Sequence, residues 1–77
     1  MSVTDRREVL EHLRHSEGWP ELKRALQERL AEAMAGLRGA RDYETVVKLQ
    51  SQCDTLEWCI QLPDDLILRL REEEANG

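Results

Sequence analysis

The sequence predicts an all-α protein, and three observations carry that prediction. Large apolar residues from Trp19 to Leu37 recur at spacings of 3, 4, 4, 3 and 4, which is 18 residues over five turns of a 3.6-residue helix. A second series, Val46, Leu49, Cys53, Leu56 and Ile60, is spaced 3, 4, 3 and 4, as in a coiled-coil seam. Gly18, Pro20, Gly36, Gly39 and Pro63 punctuate the chain and leave four segments between them. The expected architecture is an antiparallel helical hairpin of about 19–38 and 43–62. A short helix precedes it (4–15) and another follows (64–74), all in a single domain over 1–77 whose last few residues fray.

The first segment, about Thr4 to His15, can be capped by Ser2 or Thr4 and carries Asp5 and Glu8 near its positive end. Its stripe of Val9, Leu10 and Leu13 is narrow, so a helix this short needs something to dock on. Ser16 to Pro20 is a turn and helix start, with Ser16 as the cap and Pro20 in the first turn, where its missing N–H is not needed. The second helix ends near Gly39, which suits a left-handed position just past a helix, and Asp42 suits the cap of the third. The linker is short enough to make the two helices antiparallel neighbours. Pro63 is expected to stop the third helix. After it, Asp64 and Asp65 followed by Arg69 and Arg71 suit a short helix, although the alternation of Leu66, Leu68 and Leu70 also fits a strand.

Composition narrows the functional classes. Seventy-seven residues make one domain, with 40% apolar and 35% charged residues and no Phe. A chain below about 80 residues usually needs a staple, a metal or a partner. The only cysteines, Cys53 and Cys59, are six apart on one predicted helix. Six helical residues rise about 9 Å, whereas bridged Cα atoms lie roughly 4.4–6.8 Å apart, so no intrachain disulfide is expected. No apolar leader opens the sequence and no stretch approaches a membrane span, so an intracellular, reducing compartment is expected. The net charge of −5, from 11 basic and 16 acidic residues, works against a nucleic-acid partner.

No pattern for chemistry emerges. His12 and His15 share a helix face, but Cys53 and Cys59 lack the close spacing of zinc cysteines and point about 240° apart around a helix. Cys53 sits on the apolar seam, where a free cysteine behaves as a small hydrophobe rather than a nucleophile. Phosphate loops, HExxH and GxSxG are all missing. Asp64, Asp65 and Glu72 to Glu74 read as helix capping and a solvated tail. The expectation is a protein with no catalytic residue, no metal and no cofactor.

What remains is apolar surface. The third helix carries Val47, Trp58, Cys59 and Leu62 beside its seam, more than one hairpin partner can cover. Trp58 points well off the seam, so either the first or last helix covers it or it faces a partner, and tryptophan is enriched at interface hot spots. Trp19 is expected as a plug between the first two helices, with its exposed part available to a partner. Together with Leu66 and Leu70 these residues form the expected protein interface, for self-association or for a partner helix.

Ser16-Glu17-Gly18-Trp19-Pro20-Glu21-Leu22, Asp42-Tyr43-Glu44, Leu49-Gln50, Leu56-Glu57-Trp58 and the closing Leu62-Pro63 together resemble small helical-hairpin proteins encoded among the head and packaging genes of tailed bacteriophages. The resemblance spans about residues 16–63 and brings no catalytic residue. It implies a minor structural or assembly component that binds a larger symmetric protein, such as a portal or capsid protein, and so enters a virion. The alternative is a small acidic regulator that binds and sequesters a host or viral protein.

Overall fold

A computed structural model describes residues 1–77. The chain is entirely helical outside its short connections, with α1 at Val3–Arg14, α2 at Gly18–Gly39 and α3 at Tyr43–Asn76. Each start has a local cause. The Ser2 hydroxyl accepts from the Asp5 amide at 3.1 Å. Asp42 accepts from both the amide and the hydroxyl of Thr45, at 3.0 and 2.8 Å. Ser16 donates to the Leu13 carbonyl at 2.6 Å and accepts weakly from the Trp19 amide at 3.4 Å, closing α1 and opening α2 with one side chain.

Two expectations need correction. Gly39 does not adopt a left-handed conformation, since no glycine has positive φ; the chain leaves α2 through an extended Ala40 instead. More consequentially, Pro63 does not stop the third helix. A separate helix at 64–74 is replaced by one 34-residue α3 that runs through Pro63 to Asn76, and the strand alternative falls with it. An interior proline removes a backbone hydrogen bond and crowds the carbonyl four residues earlier, at a cost of about 3 kcal/mol. Packing offsets it. The 3–4 spacing that begins at Val46 and Leu49 continues through Pro63 to Ile67 and Leu70, and all three of these later residues are buried.

The long helix organises the molecule. At about 1.5 Å per residue α3 measures about 51 Å, and α1 and α2 laid end to end span the same length. Both short helices pack on α3 and hardly touch each other. Gly36 of α2 lets the Leu49 side chain of α3 approach; a Cβ built on Gly36 would lie 3.2 Å from it. Along α1, Arg7 pairs with Glu74, Glu11 with Arg71 at 2.6 Å, and Arg14 with Asp64 at 3.1 Å, so α1 runs opposite to the C-terminal half of α3. The break between α1 and α2 therefore faces the stretch of α3 around Pro63.

The product is a slab of 50 × 28 × 15 Å. Its radius of gyration is 16.3 Å, against about 11.5 Å for a compact domain of this length. Only Ala33, Cys53, Pro63, Ile67 and Leu70 are buried, and Ile67 at 1% exposure is the most enclosed. Core material is concentrated where α1 lies on α3, which is also where the ion pairs gather.

Candidate protein–protein interface

The unburied faces of α3 follow from its helical phase. With Cys53, Ile60 and Ile67 turned toward α1 and α2, a rotation of about 100° per residue sends Val47 and Trp58 to the opposite pole. They are 44% and 57% exposed. Neither the first helix nor the end of the third covers Trp58. Cys59, Leu62 and Leu66 turn to one broad side of the slab and are half-buried. Tyr43 and Leu68 turn to the other side, 81% and 58% exposed, in a sector that also holds Asp54, Glu57, Asp65 and Glu72 and no basic residue.

The expected interface is thus dispersed over several faces rather than gathered into one patch. Trp19 is half-buried at the start of α2. Leu70 is a correction: at 3% exposure it belongs to the contact with α1 and offers nothing to a partner. Because α3 does not end at Pro63, Leu70 keeps the phase of the inner seam. Leu13 and Leu22 add apolar surface outside the expected set, at 42% and 54% exposure, as does Met34 at 45%. Leu22 lies in the apolar stripe of its helix and is legible there as core. It stays open because a single neighbouring helix cannot span the whole stripe.

Beside Cys59 the same broad side carries an open groove of about 570 Å³ between α2 and α3. Arg29, Glu32 and Ala33 form one wall, and Gln52, Thr55 and Leu56 the other. Leu49 and Ser51 complete the lining, which mixes both signs of charge with short polar and apolar groups. Cys53 is buried and Cys59 half-buried, both as free thiols. No group of three His, Cys, Asp or Glu side chains is placed to hold a metal ion. No helix is long and apolar enough to cross a membrane.

Electrostatics concentrate on the α1 clamp. The Arg71 guanidinium, hydrogen-bonded to Glu11, holds that carboxyl below its ordinary range against the opposing effect of desolvation, and the charge of Arg7 assists. The hydrogen bond to Glu74 raises Arg7. Asp42 is lowered by its capping bonds from Thr45. Arg7 and Glu11 are half-buried between α1 and α3 and Asp42 is exposed, so these groups act on the docking of α1 and the start of α3.

The exposed area gives these faces a scale. The chain exposes 6022 Å², whereas a compact monomer of 9.0 kDa exposes about 4,850 Å². The surplus of about 1,200 Å² matches one protomer's share of a substantial interface. The chain matches no protein-family model, no curated protein and no solved structure.

Proposed function

We propose that this chain is a non-enzymatic interaction module that docks on other proteins through the apolar faces of its helices, with the antiparallel unit of 19–38 and 43–62 as its body. Following the resemblance of residues 16–63, its role is that of a minor structural or assembly component of a phage-like particle, bound to a larger symmetric protein such as a portal or capsid protein. One observation supports docking above the others: nine large apolar side chains stand exposed while only five residues are buried. Burying one large apolar side chain is worth about 1.5–3 kcal/mol, comparable to much of the stability available to so small a domain. Val47 and Trp58, the large apolar residues at the outer pole of α3, are the contact for the larger partner.

Quantitative mass analysis of purified particles tests the role. The chain should be present at a fixed stoichiometry matching a ring or shell symmetry, and Trp58→Glu should reduce its incorporation. The acidic sector of Asp54, Glu57, Asp65 and Glu72 around exposed Leu68 favours the second reading, an acidic regulator. In that case the chain copurifies with a single soluble target and is lacking from particles.

A further inference from the structure

We infer that a second copy of this chain packs on the groove side of the slab, making a two-layer dimer that is four helices in cross-section, with the α3 helices antiparallel across a two-fold axis. α3 carries a second seam, distinct from the one that holds α1 and α2. From Lys48 to Glu73 it advances by 4, 3, 4, 3, 4, 3 and 4 residues, with half-buried Cys59, Leu62 and Leu66 at its centre and exposed polar residues at its ends. This seam is rotated about 110° from the inner one. Nearly a right angle is what a square bundle requires, one neighbour in the layer and one across it.

The seam is complementary to itself. With the axis midway between Cys59 and Leu62, Cys59 meets Leu62 of the other copy and Thr55 meets Leu66. Farther out, Gln52 meets Arg69, and Lys48 meets Glu73. Lys48 and Glu73 are both exposed and make no ion pair within the chain. Symmetry makes each of these contacts twice, and an isologous interface demands such self-complementarity. The opposite broad side repels a second copy, because its α3 residues Asp54, Glu57, Asp65 and Glu72 meet no base.

Two further observations agree. A slab 15 Å thick is one helix layer deep, and stable domains enclose a core between at least two packed layers. The surplus surface of about 1,200 Å² per chain, spread over both broad sides, leaves area on the groove side for a second copy. Leu13 and Leu22, exposed on the groove side of α1 and α2, are covered in the same step. Val47 and Trp58 remain outside at the pole of α3, so dimerisation and docking on a larger protein use different residues.

Sedimentation equilibrium of the purified full chain tests this. The expected mass is twice 9.0 kDa, falling to that of one chain in Leu62→Glu. Lys48→Glu, a surface change that leaves the fold intact, should weaken the dimer roughly five- to ten-fold at low salt. The double variant Lys48→Glu/Glu73→Lys should restore it, which decides the matter even if Leu62→Glu loses helix content. A single-chain mass throughout the micromolar range overturns the dimer. A dimer indifferent to Lys48→Glu, or one broken by Trp58→Glu and not by Leu62→Glu, overturns the seam. Particle binding with a monomeric chain would leave the proposed role standing and remove only this assembly.

Discussion

Glu11 is the side chain on which the docking of α1 turns, since it receives both Arg7 at 2.9 Å and Arg71 at 2.6 Å. The Arg71 guanidinium, with Arg7 beside it, holds the Glu11 carboxyl below the ordinary glutamate value, so its contribution is fully present above that ordinary value and is lost as pH falls through the lowered folded value. Stability should therefore decline on acidification below about pH 4.3, and Glu11→Gln should flatten that limb while leaving the neutral-pH helix content nearly unchanged. Urea titrations at a series of pH values give the slope. Gly39 makes a different test. With ordinary φ and nothing within 4 Å of a Cβ built on it, Gly39→Ala should stabilise the chain by about 0.5–1 kcal/mol. Thermal melts check this, and a lower melting temperature in the variant would count against it. Ile67, the most enclosed side chain, should cost about 2–5 kcal/mol when cut to Ala.

At the scale of elements, Pro63 asks whether packing or propensity controls α3. Pro63→Ala removes a cost of about 3 kcal/mol and restores a donor for the Cys59 carbonyl. It also gives up about two buried methylenes, worth about 1.6 kcal/mol. The net expectation is a gain near 1 kcal/mol, visible as a higher melting temperature. Sequence reasoning reaches α1, α2 and the first half of α3 because caps, turn residues and 3–4 spacing agree there. It stops at Pro63 because local propensity says stop, whereas the decisive information is tertiary. The ring is buried where α1 and α2 meet, and the seam passes through it unbroken in phase to Leu70. The same misjudgement puts Leu70 on the surface and makes Leu66, Leu68 and Leu70 look like a strand, when on a helix they fan around the axis. Val47 and Trp58 are legible as off the seam because they lie a half turn from it, whereas whether an end helix covers Trp58 depends on tertiary packing. The second seam from Lys48 to Glu73 is harder to see, since its ends are polar.

For the whole molecule, a single layer with few buried residues should show stability that depends on concentration. If the second copy binds, the melting temperature should rise with protein concentration, as it must when only the folded form associates. Hydrogen exchange should find α1, which has no buried residue of its own, far less protected than the middle of α3. The pairing of Arg7 with Glu74 links residues 67 positions apart, while α2 meets α3 across a connection of three residues, 40–42. Loop closure therefore favours the second contact kinetically. α2 and the front of α3 should zip first, with α1 left as a tethered arm until the far end of α3 has formed. Of the three helices, the one synthesised first is then the last to fold.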